Sequence, residues 1–233
     1  MKIFAKGFNF EQDGPGNRLV YHLSGCNMRC IWCSNPEGIS GKKGFDLTVD
    51  EIVDEVVNSK MLFFSGGGVT FTGGEATLQF DELFELLRKL KEQGIHTTIE
   101  TNGTSKRLND LCQYVDYLIM DFKHYDDQIL EKYTKCSSEI VKFNFEKNCE
   151  LGRFQHIRIP LINNINSNNL DGFINYFCRF NTSNTVFEFL PYHEFGKNKW
   201  ESEYLVTDGF ITNDILQTFI KKFEENNLKV IST

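Results

Sequence analysis

Two hydrophobic rhythms alternate along this chain. Short apolar runs recur, and each is followed by a longer stretch in which apolar residues return every three or four positions. The short runs predict strands: RLVYHLS (18–24), GVTFT (68–72), TTIE ending at Glu100, DYLIMDF (116–122), HIRIPLI (156–162) and TVFEFLP (185–191). The longer stretches predict helices. One opens at Thr48 with Glu51 three positions on, a capping-box pattern. In the next, Phe80, Leu83, Phe84, Leu87 and Leu90 fall on one helical face, and Gly94 marks the stop. Further helices are expected over 138–150, 168–180 and 213–226, the last leading into a short strand at 228–232.

Strands alternating with helices predict an α/β fold with a parallel sheet and helices outside it. At 233 residues the chain sits at the lower end for a complete eight-unit barrel. The expectation is a partial (β/α)6 TIM-like barrel forming one domain over 1–233, with an open doubly wound sheet as the alternative. The 22 phenylalanines supply bulky material for its core. A net charge of −7 argues against a general nucleic-acid binder, which needs clustered Lys and Arg. The start, MKIFAKGFNFEQDG, lacks the apolar core of a signal peptide, and no run approaches the length of a membrane span. A cytoplasmic protein with neither a nucleic-acid nor a membrane partner is expected.

In a parallel α/β sheet, sites gather at the carboxyl ends of the strands. The chemically distinctive residues fall there. The run GCNMRCIWC, with Cys26, Cys30 and Cys33, follows the first predicted strand. Gly73, Gly74 and Glu75 follow the second, and Glu100 closes the third. Asp121 and Lys123 follow the fourth, Arg158 lies on the fifth and His193 follows the sixth. A charge inside the apolar strand around Arg158 needs a partner, and a ligand carboxylate is one candidate. The run DGPGN before the first strand reads as a turn or as a rigid lip at the mouth of the site, with Asp13 exposed. Three thiols are one too few for a closed structural zinc site. They suit a cubane iron–sulfur cluster with one iron left uncapped. The remaining four cysteines, Cys112, Cys136, Cys149 and Cys178, are scattered and form no second cluster.

The run GCNMRCIWCSNPE resembles the cluster loop of radical S-adenosylmethionine (SAM) enzymes. DGPGNR, SGGGVTFTGGEATLQ, IETNG, MDFK, RIPLI and LPYHEFGKNKW follow the motif order of the activating enzymes of glycyl radical enzymes, above all the pyruvate formate-lyase activators. The resemblance implies a [4Fe–4S] cluster on Cys26, Cys30 and Cys33, with SAM on the fourth iron. It places Trp32, Cys33 and Ser34 on the adenine side of SAM, and Gly73 and Gly74 against its methionine amino group, with Glu75 supporting the turn. Asp121, Phe122 and Lys123 of the MDFK motif, together with Arg158 and His193, match further SAM-binding positions. Glu100 matches an acidic position, usually Asp, that in relatives borders a monovalent cation. Asp13 matches an acidic residue beside the incoming glycine loop and is the implied catalytic residue. Ser34 departs from the His common in pyruvate formate-lyase activators, and no cysteine-rich insertion follows Cys33. The implied reaction is reductive cleavage of SAM and removal of a glycine Cα hydrogen, installing a glycyl radical on a partner enzyme. A flavodoxin or ferredoxin is the implied electron donor. The rival expectation is a radical SAM enzyme acting on a small molecule, similar to 7-carboxy-7-deazaguanine synthases.

Overall fold

The computed structural model describes residues 1–232. Its strands are β1 (Lys2–Phe10), β2 (Asn17–Leu23), β3 (Phe45–Asp46), β4 (Gly68–Gly73), β5 (Thr97–Thr101), β6 (Tyr117–Asp121), β7 (Gln155–Leu161) and β8 (Thr185–Pro191). Its helices are α1 (Val49–Asn58), α2 (Phe80–Glu92), α3 (Leu108–Leu111), α4 (Asp127–Thr134), α5 (Glu139–Glu150), α6 (Leu170–Phe177) and α7 (Asn213–Glu225). The strand order is β3-β1-β2-β4-β5-β6-β7-β8. β2, β4 and β5 pair in parallel, as do β7 and β8, while β1 is antiparallel to β2 and β3. This is the mainly parallel α/β order expected of the partial-barrel class, with all six predicted strands in place.

Two strands were not expected. β1 is nine residues long, but only Ile3 along it is buried, and Lys6, Gly7 and Asn9 interrupt its apolar residues, so it lacks the continuous apolar run of an inner strand. β3 contributes two exposed residues. The strand expected at 228–232 is reduced to a single bridge between Phe187 and Val230.

Contacts group the residues into two compact units. The first takes in Met1–Asn27, Asn35–Thr101 and Ser105–Ile119; the second takes in Met28–Ser34, Asn102–Thr104 and the chain from Met120 on. In the first unit, the Thr48–Glu51 capping box starts α1: the Thr48 hydroxyl accepts from the Glu51 N–H, and the Glu51 carboxylate accepts from the Thr48 N–H. Ile52 and Val56 of α1 and Leu83, Leu86, Leu87 and Leu90 of α2 are fully buried. They join a core in which Tyr21 stacks on Phe71 at 5.7 Å. Phe84, expected on the buried face of α2, instead meets the edge of Tyr114 at 5.3 Å.

The second unit uses the phenylalanines. Phe122, Phe145, Phe173, Phe177, Phe187 and Phe223 are fully buried, and Phe177 has ring contacts to the other five. Each such ring contributes roughly 1.5–3 kcal/mol when fully removed from water.

Candidate functional site

In the first unit, the carboxyl ends of β2 and β4 lie level, with Leu23 paired to Gly73. The chain leaving β4 presses against the chain leaving β2. Gly74 donates to the Leu23 carbonyl at 2.9 Å, and the Glu75 N–H donates to the Gly25 carbonyl at 2.7 Å. A Cβ on Gly74 would stand 2.1 Å from the Gly25 carbonyl oxygen. A Cβ on Gly73, at φ +117°, would stand 2.4 Å from the Leu23 nitrogen. Only glycine fits at either place. The two glycines therefore seat the backbone that leads into Cys26.

Glu75 is buried and anchors the turn. Its Oε1 accepts from the Thr77 N–H at 3.0 Å, the Thr77 hydroxyl at 2.5 Å and the Thr101 hydroxyl at 2.6 Å. One carboxylate thus ties the end of β4 to the end of β5. Glu100, half-buried, accepts from Thr72 at 2.8 Å. Cys26, Gly73, Gly74, Glu75 and Glu100 lie at one end of this parallel sheet, as the spacing predicts.

Asp13 does not join them. It lies in the β1–β2 connection, where Thr70, three residues upstream of Gly73, donates to its carbonyl at 2.7 Å. Its half-buried carboxylate accepts from Asn9 at 2.5 Å. The DGPGN turn therefore packs on the amino-terminal half of the sheet and does not reach the rim where Gly73 and Glu75 lie.

In the second unit, Cys30 and Cys33 close a turn in which the Cys33 N–H donates to the Cys30 carbonyl at 3.1 Å. The residues flanking Cys30 are held by the end of α4: Arg29 N to Thr134 O at 2.7 Å and Ile31 N to Tyr133 O at 3.3 Å. Trp32 packs on the buried cluster of Ile162, Tyr192 and Val206. Lys123 and Asp121 pair at 2.5 Å, the lysine nearly covered. His193 is half-buried; its Nδ1 accepts from the Phe195 N–H at 3.3 Å and its ring stacks on Phe195 at 4.3 Å. Burial holds its pKa below the usual histidine value.

Two expectations change here. Arg158 finds its carboxylate within the chain, its Nε donating to Glu188 at 2.8 Å, so its burial does not by itself call for a ligand. Phe122, expected at the SAM site, is a core residue: its ring is fully buried and its N–H donates to the Arg158 carbonyl at 2.8 Å. The MDFK motif alternates core-facing and polar positions, and Phe122 takes the core side.

Comparison with known proteins then decides the family. Residues 20–177 match the model of the Radical SAM superfamily. The chain is 32% identical over 213 residues to pyruvate formate-lyase 1-activating enzyme of Escherichia coli (strain K12), covering 86% of this chain and 85% of that protein. It is 36% identical over 203 residues to pyruvate formate-lyase-activating enzyme of Staphylococcus epidermidis, covering 82% and 80%. The chain belongs to the radical SAM superfamily, in the pyruvate formate-lyase activating enzyme family. Among solved structures, a domain of pyruvate-formate lyase-activating enzyme from Bacteroides vulgatus shares the fold at TM-score 0.61 and 23% identity, covering 71% of this chain and 98% of that one. Streptococcus suis SuiB bound to S-adenosylmethionine shares it at TM-score 0.73 and 15% identity, covering 92% and 49%.

A radical SAM protein carries a [4Fe–4S] cluster and SAM. The residues present fit the cluster by donor chemistry. Cys26, Cys30 and Cys33 are thiols, none in a disulfide among the described residues, and both sides of Cys30 are fixed by backbone hydrogen bonds. Among the described residues no three His, Cys, Asp or Glu side chains are already gathered as a metal cage. No helix among them is long and apolar enough to cross a membrane.

Proposed function

We propose that this protein is a glycyl radical enzyme activase. The observation that carries the reading is identity above 30% across more than four-fifths of the chain to pyruvate formate-lyase activators. Both units would serve one functional domain, since the superfamily match takes in parts of each. When bound, the cluster and SAM together supply a primary carbon radical strong enough to take hydrogen from a glycine Cα.

The chain's own residues bind, orient and exclude water. Cys26, Cys30 and Cys33 would hold three irons. Gly73 and Gly74, seated against the backbone of Leu23 and Gly25, would offer backbone carbonyls to the methionine amino group, with Glu75 keeping the turn rigid. Lys123, steadied by Asp121, would meet the SAM carboxylate as a charge-assisted donor. Trp32, Ser34, Arg158 and His193 would complete the pocket, and Glu100 would border a monovalent cation. Asp13 would act on the incoming glycine loop from the side of the sheet where the DGPGN turn lies. The protein substrate is a glycyl radical enzyme, the electron donor a flavodoxin or ferredoxin, and the compartment the cytoplasm.

The test is anaerobic reconstitution with iron and sulfide, followed by reductant, SAM and a pyruvate formate-lyase partner. The expected result is 5′-deoxyadenosine together with a glycyl radical signal on the partner, both lost in Cys30→Ala. SAM cleavage with a modified small molecule and no protein radical would replace this reading.

A further inference from the structure

One segment that the site description leaves without a role touches the cysteine loop directly. Residues 196–200 return to the loop's carboxyl end. Trp200 Nε1 donates to the Cys33 carbonyl at 3.0 Å. Lys199 Nζ donates to the Ser34 carbonyl at 3.3 Å. Gly196 lies so close that a Cβ there would stand 2.5 Å from both the Ser34 Cα and its carbonyl oxygen. The Trp200 ring is itself braced, meeting the edge of Tyr204 at 5.6 Å, and the Tyr204 hydroxyl lies 2.9 Å from that of Tyr192.

These contacts act on one residue from two directions. The Cys33 N–H is held inside the loop by the Cys30 carbonyl, and the Cys33 carbonyl is held from outside by the indole. With both neighbouring peptide groups fixed, the direction of the Cys33 Cα–Cβ bond is fixed too. Supporting hydrogen bonds of this kind orient metal ligands.

We propose that residues 196–200 form a strap in which the Trp200 indole N–H is the positioning group for Cys33; this rests on the assignment of Cys33 as a cluster ligand above. The strap works through backbone, so its effect is on ligand direction and not on ligand number. Gly196 is part of the device, since a side chain there would push the strap off Ser34.

Three variants test it. Trp200→Phe keeps an aromatic ring and removes the donor. Gly196→Ala inserts a Cβ against Ser34. Lys199→Met removes the exposed lysine contact to the Ser34 carbonyl and leaves the Trp200 donor in place. In metal-free protein, amide exchange at Cys33 is expected to quicken about tenfold in the first two and no more than about twofold in the third. In reconstituted protein, the electron paramagnetic resonance spectrum and midpoint potential of the reduced cluster are expected to shift in Trp200→Phe and Gly196→Ala and to stay put in Lys199→Met. If Gly196→Ala does not fold, Trp200→Phe decides. Wild-type exchange and a wild-type cluster spectrum in Trp200→Phe would overturn the strap. A wild-type protein that assembles no cluster would overturn the proposed function instead, while the exchange result would still judge the Trp200 contact.

Discussion

Each unit buries an arginine, and the two are satisfied in opposite ways. Arg18 is fully buried and, among the described residues, has no carboxylate within ion-pair distance. Its partners are neutral: the Thr70 hydroxyl at 2.7 Å, the Val69 carbonyl at 2.7 Å and the Pro15 carbonyl at 2.9 Å. Loss of solvation pushes its pKa down to about 10, with Asp13 and Asp116 opposing from farther away. Arg158 is buried against Glu188 at 2.8 Å, and His156 reaches the same carboxylate oxygen at 3.0 Å. Arg18 is used as a fork of donors that staples the DGPGN turn to β4. Arg158 is half of an ion pair whose worth depends on both members being present.

The largest effect should come from breaking the pair on one side. Glu188→Ala leaves the Arg158 guanidinium buried without its carboxylate and is expected to cost about 3–5 kcal/mol in urea unfolding. The double variant Arg158→Met/Glu188→Leu should recover most of that loss, because well-packed apolar residues commonly replace a buried pair at little cost. The same double variant sharpens the functional side. It is expected to fold but to lose roughly ten- to a hundredfold in SAM cleavage, the worth of a charge-assisted hydrogen bond. A double variant with wild-type cleavage would assign Arg158 to structure alone.

Arg18 should behave differently. Arg18→Met removes a cation and strands several carbonyls, so about 2–3 kcal/mol of stability should go. Arg18→Lys should not restore it, because an ammonium cannot reproduce the planar fork toward Thr70, Val69 and Pro15. Near-complete rescue by lysine would show that charge, not donor geometry, is what the site uses.

The contrast between the arginines also marks where sequence stops being readable. The six predicted strands and the capped α1 are legible because their signals are local: apolar runs, a Thr–Glu spacing, a terminating glycine. The glycines at 73 and 74 are legible as special, but their reason, the backbone of Leu23 and Gly25, lies some fifty residues back along the chain. The same is true of Arg158, whose need for a partner is plain in the strand pattern while Glu188 is set only by the β7–β8 register. Trp200 is visible only as the end of the LPYHEFGKNKW motif, and its contact with Cys33 spans 167 positions. β1 is hidden for another reason. It is a mostly exposed strand whose apolar residues, Ile3, Phe4, Ala5, Phe8 and Phe10, are interrupted by Lys6, Gly7 and Asn9, so no continuous run announces it.

A smaller effect is expected at Thr70, which accepts from Arg18 and donates to the Asp13 carbonyl. Thr70→Val keeps the shape and removes both bonds. About 1–2 kcal/mol should be lost, with faster amide exchange confined to residues 11–17. Loss spread evenly over the first unit would mean that the hydroxyl packs the core and does not fasten the turn.

The smallest effect is a pH dependence at the Arg18 site, through its neighbour His96. His96 Nδ1 lies 3.3 Å from the Arg18 guanidinium. Burial first, and the Arg18 charge second, hold the His96 pKa below 6.5; Asp116 opposes and Lys91 assists. The folded protein therefore resists a proton that the unfolded chain accepts once pH falls below about 6.5, and stability drops on acidification. One fully linked proton would give about 1.4 kcal/mol per pH unit, and the partly solvated ring should give well under that. Urea midpoints measured from pH 7 to pH 5 should fall less steeply in His96→Gln. Arg18→Met should flatten the slope only in part, because burial remains when the charge is gone. An Arg18→Met slope as flat as that of His96→Gln would reverse the order of the two causes and make the guanidinium, not burial, the dominant one.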